Sequence, residues 1–228
     1  MDLGVSDMER PCTDYVKHGF IFYANRSNYE GMVGMIVVID NFIKDPEFLQ
    51  EISDNLESIF ADPGVYKWWD GWWSTEAVNI TQRLIQTVWG ENCPIIASYS
   101  ISGIEYWTGV QTCEATDTIW ENSLCLHQDK DEKLWEETGA VVGPDIGTIY
   151  YPPGQDFEGG NLEIFSEGED SDPEVLKAKD NRLIIFPAGE YLHRVSTVTR
   201  GTRKAIAFNL WDAPPTGVAS GSLVRETS

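Results

Sequence analysis

The second half of this chain is a succession of short apolar runs broken by turn residues, and that pattern constrains its fold more than any other feature. Strand-sized segments are predicted over 95–107, 123–127, 147–151, 160–165, 182–186, 193–198 and 204–211, with Gly, Pro and Asp clusters between them. Upstream, MVGMIVVID over Met32–Asp40 reads as a buried strand. Asn41–Phe60 then reads as a helix, with Asp45 as its cap, Pro46 in its first turn and Glu47 as an early acid. Its apolar stripe is Phe48, Leu49, Ile52, Leu56 and Ile59. Ile80–Trp89, stopped by Gly90, is a second helix. Two helices followed by many strands predict a mainly β, α+β chain, a sandwich or jelly roll with helices on one face.

The chain has 228 residues, enough for one well-buried core. The expected organisation is an irregular segment over 1–30, a single domain over 31–211 and a Pro-, Gly- and Ser-rich tail over 212–228. Within the domain, helical support spans 41–90 and the strand-rich core about 95–211. The acidic run Glu167–Glu174 lacks the spacing of a calcium loop and reads as a solvated turn.

Composition excludes several classes. A net charge of -21 repels phosphate backbones, which argues against nucleic acid as partner. No apolar run approaches the roughly 20 residues that span a bilayer, so no membrane partner is expected. The N-terminus shows no secretory pattern. The four cysteines, Cys12, Cys93, Cys113 and Cys125, form no CxxC pair and read as reduced thiols. Together these features predict a cytoplasmic protein.

The chemistry concentrates around two of the three histidines. His127 and Asp129 stand two residues apart in LHQDKDE, so in a strand they share one face. His193 opens another predicted strand. Two imidazoles and one carboxylate make a three-ligand face with open positions, the donor set of non-haem iron(II) oxygenases rather than of a closed zinc site. Asp131 shares that face but lies beyond metal reach, Lys130 reads as a surface charge, and His18 has no assigned role. Ten residues after His193, Arg203 lies past a turn predicted at Arg200–Gly201, where a hairpin return brings it beside the metal strand. A guanidinium there can grip a carboxylate. If Arg203 points inward, so do Ala205, Ala207 and Asn209, and the alanines leave room for a small molecule.

These residues occur within a larger pattern. His127-x-Asp129, then IYYPPGQDFEGGNLEIF, then RLIIFPAGEYLHRVSTVTRGTR resembles the prolyl-4-hydroxylase-like branch of the iron(II)- and 2-oxoglutarate-dependent oxygenases, over roughly Ile36–Trp211. The resemblance implies a double-stranded β-helix, a cupin-like jelly roll. It implies Fe(II) on His127, Asp129 and His193, with 2-oxoglutarate and dioxygen as cosubstrates and ascorbate as a candidate reductant. Arg203 and Tyr151 would hold the far carboxylate, with Tyr150 the adjacent possibility. Leu162, Val195 and Asn209 would line the cosubstrate pocket. The implied reaction converts 2-oxoglutarate to succinate and carbon dioxide while hydroxylating a substrate. With Asp129 present, hydroxylation is expected rather than halogenation. Family members often carry a pocket tyrosine about ten residues before H-x-D. Here the nearest match is Tyr106, which implies an insertion over 111–121.

Trp68, Trp69, Trp72 and Trp73 crowd six positions. They read either as packing residues or, with Tyr106, as a cover over the substrate. Three functions remain open: a hydroxylase of prolyl residues in a peptide or protein, a hydroxylase of a free amino acid or other small metabolite, and a non-catalytic metal-binding jelly roll.

Overall fold

The computed structural model describes residues 36–70, 72, 75–90, 101–114 and 122–216. The expected segment over 1–30, Trp73 and most of the tail lie outside these residues. The architecture is that of a double-stranded β-helix: two antiparallel sheets face one another, with helices covering the outer face of the larger. No helix among the described residues is long and apolar enough to cross a membrane.

The larger sheet runs β1 (Val37–Asp40), β9 (Arg182–Phe186), β5 (Ile146–Tyr151), β11 (Val198–Trp211), β3 (Gly103–Thr112) and β2 (Lys67–Trp69). β6 (Phe157–Gly159) pairs with the start of β11. The smaller sheet runs β4 (Leu124–His127), β10 (Leu192–Val195), β7 (Leu162–Phe165) and β8 (Glu174–Leu176). The helices are α1 (Pro46–Asp54), α2 (Leu56–Ile59), α3 (Ile80–Trp89) and α4 (Glu132–Thr138).

Strand alternation divides the large sheet's side chains between two cores. Ile104 and Tyr106 of β3, Tyr150 of β5, Leu183 and Ile185 of β9, and Ile206, Phe208 and Leu210 of β11 face the helices. They pack there with Phe48, Ile52, Leu84, Ile85 and Trp89. Tyr151, Ile184, Phe186 and Ala205 face the other way, against Leu162 and Ile164 of the small sheet. The sheet is buried on both sides, which explains why β9 reads as an unbroken apolar run, RLIIF.

Several predicted boundaries shift. The helix expected over Asn41–Phe60 begins only at Pro46, because Asn41 takes a left-handed conformation with φ 53°. Asp45 caps it by accepting from the backbone N–H of Glu47 and Phe48. It breaks at Asn55, whose side-chain amide donates to the Glu51 carbonyl in place of a helical continuation. Strand β1 spans Val37–Asp40, and 32–35 of the predicted strand lie outside the described residues. β3 runs from Gly103 to Thr112, so Gln111 and Thr112 belong to a strand rather than an insertion. β10 stops at Val195, and no turn occurs at Arg200–Gly201. The chain crosses between sheets at 196–197, then runs as one 14-residue strand. Gly201 (φ 71°) sits inside it because a Cβ would come within 2.2 Å of the Asp156 carbonyl. α4 had no counterpart in the sequence reading, and Asp131 is its buried cap, accepting from Leu134 N–H.

The described tryptophans of the cluster, Trp68, Trp69 and Trp72, belong to packing. Trp72 is fully buried and donates its indole N–H to the Trp89 carbonyl at 2.7 Å. Trp68 is buried against Gly103, where a Cβ would meet its ring at 2.1 Å. Trp69 is partly buried and bonds Thr75.

The edge strand β1 is tied to β9 by charge. Arg182 donates two bonds to Asp40, at 2.7 and 3.0 Å, and Lys179 donates another at 2.9 Å. Arg182 first, then Lys179, holds the Asp40 carboxyl well below the usual range. A depressed folded-state value stabilises the fold above the unfolded aspartate range and is lost as pH falls through the folded one. Asp40→Asn should therefore cost about 1 kcal/mol near neutral pH, discounted for exposure. Urea denaturation at a series of pH values should show this gap closing as acidity increases. A gap that is constant down to acid pH would contradict the assignment.

Candidate metal centre and its pocket

His127 ends β4, and His193 is its directly opposed partner on β10. Their rings lie 4.3 Å apart. Cross-strand pairing thus brings together two histidines 66 positions apart. Asp129 follows on the loop, where its backbone N–H donates to the Ala188 carbonyl at 2.9 Å. Close approach there requires glycine: a Cβ on Gly143 would lie 2.7 Å from the Asp129 carbonyl oxygen and 2.6 Å from Gly189. The Asp129 Oδ1 stands 3.5 Å from His127 Nε2 and 3.7 Å from His193 Nε2.

The remaining polar atoms of this triad are fixed from behind. His127 Nδ1 lies 2.8 Å from the Cys125 carbonyl, and His193 Nδ1 2.9 Å from the Tyr191 carbonyl. A carbonyl can only accept, so each Nδ1 carries the proton and each Nε2 presents its lone pair inward. Asn209 donates to Asp129 Oδ2 at 2.8 Å, leaving Oδ1 toward the histidines. One ligand atom from each residue lies within 4.8 Å of the others, the scale of one ion's coordination shell. Two imidazole nitrogens and one carboxylate oxygen, backed by outer hydrogen bonds, suit a divalent transition metal such as iron(II).

Electrostatics favour the metal-ready state at His193. Burial pushes its imidazole down to about 4, a shift that the Asp129 charge opposes without reversing. Burial also opposes charge on His127, but hydrogen bonding and attraction from Asp129 outweigh it, and its value is raised. Burial disfavours the Asp129 anion, yet the two histidines and Asn209 hold its carboxyl below the ordinary range.

The centre opens into a cavity of about 70 Å³ between the sheets, room for a small molecule. Its far end is Arg203, 2% exposed. Arg203 donates Nε–H to the Gly160 carbonyl (2.9 Å), Nη1–H to Gln111 Oε1 (2.5 Å) and Nη2–H to the Tyr151 hydroxyl (3.1 Å). One N–H remains on each terminal nitrogen, the fork that fits a carboxylate. Gly160, the second glycine of the FEGG turn, makes room for this arrangement: at φ 63°, a Cβ would lie 2.7 Å from Arg203 Cδ. Among the described residues no carboxylate forms an ion pair with Arg203, and its three partners are neutral.

The structure brings together most of the residues singled out by sequence. Arg203, Ala205, Ala207 and Asn209 line the cavity with Leu162 and Val195. Tyr151 faces Arg203, whereas Tyr150 turns to the helix-side core and donates to Asn181 at 3.1 Å. Tyr106 also points to that core, within 3.2 Å of Gln82, and does not line the cavity. The pocket face of β3 instead carries Trp107, Gly109 and Gln111. Neither Trp68, Trp69 nor Trp72 lines it. Lys130 pairs with Glu132 and lies over the Trp135 ring. Sequence reading missed Gln111, Trp107 and Phe186. Tyr106 was singled out by its distance from H-x-D; alternation along β3 would have found Gln111 and Trp107, had the strand's register been known.

Residues 121–211 match the model of the 2OG-Fe(II) oxygenase superfamily. No curated protein matches the chain. Among solved structures, a prolyl-4-hydroxylase from Pseudomonas putida is similar at 15% identity and TM-score 0.52, covering 78% of this chain and 88% of its own. A prolyl hydroxylase from Trichoplax adhaerens, in complex with a hypoxia inducible factor oxygen degradation domain peptide fragment, aligns at 14% identity and TM-score 0.52, covering 80% and 88%. A prolyl 4-hydroxylase from Phytophthora capsici aligns at 16% identity and TM-score 0.53, covering 78% and 60%. At these identities the likeness is one of fold.

If Asn209 orients Asp129, Asn209→Ala should weaken divalent metal binding by about 10- to 100-fold, the usual weight of an outer hydrogen bond to a ligand. Titration with Mn(II), followed by the electron-spin signal of free ion, measures this, with His127→Ala as the reference for a lost ligand. Affinity equal to wild type would remove Asn209 from the centre.

Proposed function

We propose that this chain, whose residues 121–211 match the model of the 2OG-Fe(II) oxygenase superfamily, is a 2-oxoglutarate-dependent hydroxylase, with a prolyl residue in a peptide or protein as its substrate. The observation that carries this reading is the buried cation at the far end of the cavity. A guanidinium 2% exposed, held only by neutral acceptors, is costly unless an anion completes it. The same cavity ends in the His127, Asp129 and His193 triad, so a ligand filling it has a carboxylate at one end and a metal-binding group at the other. 2-Oxoglutarate has both.

In this reading His127 Nε2, Asp129 Oδ1 and His193 Nε2 hold iron(II), which when bound supplies the redox chemistry that couples decarboxylation of the cosubstrate to substrate oxidation. The protein's own residues orient and exclude. Arg203 and Tyr151 fix the far carboxylate. Ala205 and Ala207 leave the width of an unbranched chain between the two ends. Leu162, Val195 and Phe186 keep water from the cavity walls. The choice of a prolyl substrate is supported by the prolyl hydroxylases that share the fold, one of them in complex with a peptide.

Anaerobic titration of iron(II)-loaded protein with 2-oxoglutarate, followed by the visible charge-transfer band of the chelate, tests the cosubstrate. Arg203→Leu should raise the dissociation constant by about 100-fold or more, the loss of two charge-assisted hydrogen bonds, while metal affinity stays unchanged. Prolyl peptides should then stimulate succinate release. Folded, iron-loaded wild type that gives no band would sink the cosubstrate assignment. A band without stimulation by any prolyl peptide would overturn the substrate alone.

A further inference from the structure

We propose that Gln111 reads the far carboxylate of the cosubstrate together with Arg203 and thereby sets the pocket's preference for a dicarboxylate; this rests on the cosubstrate reading above. Gln111 is the cross-strand partner of Arg203, directly opposite it on β3. Its amide is oriented by chemistry. A guanidinium can only donate, so the oxygen must face Arg203, as the 2.5 Å contact shows. The amide nitrogen then takes the other direction, with two N–H donors. It lies over the pocket wall at Gly109, where a Cβ would sit 3.6 Å from it. Gln111 is only 9% exposed and lines the cavity, its oxygen engaged by Arg203. An amide donor on the cavity wall, beside a buried guanidinium with two N–H groups to spare, offers a ligand anion a third donor.

The residue type follows from this geometry. Glutamate at 111 would pair with Arg203 and supply the anion internally, closing the site to a ligand carboxylate. Leucine would keep the volume but remove both the acceptor that holds the guanidinium and the donors that meet the ligand. Glutamine holds Arg203 without neutralising it.

The test is calorimetric titration of Mn(II)-loaded wild type, Gln111→Leu and Gln111→Glu with 2-oxoglutarate and with 2-oxobutyrate, which lacks the far carboxylate. Gln111→Leu should weaken 2-oxoglutarate about tenfold, the weight of one hydrogen bond to a charged group, and leave 2-oxobutyrate nearly unchanged. Gln111→Glu should weaken 2-oxoglutarate about 100-fold or more by occupying Arg203, again sparing 2-oxobutyrate. If Gln111→Leu does not fold, Gln111→Glu decides alone, since it keeps the shape and the acceptor. A ratio of the two affinities that stays at its wild-type value would overturn this inference, because a general loss of pocket structure weakens both ligands alike. Wild type that binds neither acid would instead overturn the cosubstrate reading, and this inference with it.

Discussion

The strict alternation of β11 is the constraint on which the site depends. Ile206, Phe208 and Leu210 lock this strand into the helix-side core, all three without solvent exposure. Their burial forces Arg203, Ala205, Ala207 and Asn209 to the opposite face, where they form one wall of the cavity from its cationic end to the metal end. A slip of one residue would put Arg203 and Asn209 into the hydrophobic core and the isoleucine into the pocket, so the apolar packing fixes the register of the chemistry. β11 also pairs with β3 along ten positions and with β5 along five, which places Gln111 opposite Arg203 and Gly147 opposite Asn209. At Gly147 a Cβ would meet Ala188 at 2.3 Å and the Asn209 Oδ1 at 3.2 Å, so the partner strand is pared down where Asn209 must reach Asp129.

The two ends of the cavity solve the same problem in opposite ways. At the end formed by His127, Asp129 and His193 a partly buried anion, Asp129, is satisfied by Asn209 and two histidines, a donor set that could hold a divalent cation. At the other end a buried cation is held by a carbonyl, an amide oxygen and a hydroxyl, none charged. Neutral acceptors meet the guanidinium's hydrogen-bonding needs without cancelling its charge. That difference separates a structural arginine from one kept ready for a ligand. Arg182 illustrates the structural case, with its two bonds to the Asp40 carboxylate on the sheet edge.

Much of this was legible in the sequence where period-two alternation applied within one strand. Arg203 with Ala205, Ala207 and Asn209 could be placed on one face from spacing alone, whereas Asp129 lies on the loop after β4 and reaches His127 from outside the strand. Relations between strands were less visible. Tyr106 was the obvious aromatic near H-x-D, but the register of β3 against β11 turns it to the helices and brings Gln111 to the pocket. The turn predicted at Arg200–Gly201 failed because the glycine serves a close approach to Asp156 inside a continuous strand. The tryptophan cluster left packing and a cover over the substrate both open, because four indoles crowd six positions. The structure buries Trp72, whose indole N–H bonds the Trp89 carbonyl at the end of α3. α4 is seven residues long with no buried residue, and its start is marked by Asp131, which the sequence presented as a neighbour of the metal ligands.

The overall charge and the local charge of the site oppose one another, and the difference lies in screening. With 37 acidic and 16 basic residues, the chain carries a field that draws divalent cations toward it and repels dianions. That field acts through solvent and fades within roughly 8–10 Å at physiological salt. Arg203, enclosed between the sheets, is screened far less, so an anion that reaches the cavity meets the guanidinium at close range while the surface acids are largely masked. A cation on His127, Asp129 and His193 would further reduce the repulsion at the near end. The acidity of the chain and a dicarboxylate ligand are therefore compatible, provided the cavity stays dry and Arg203 keeps neutral neighbours.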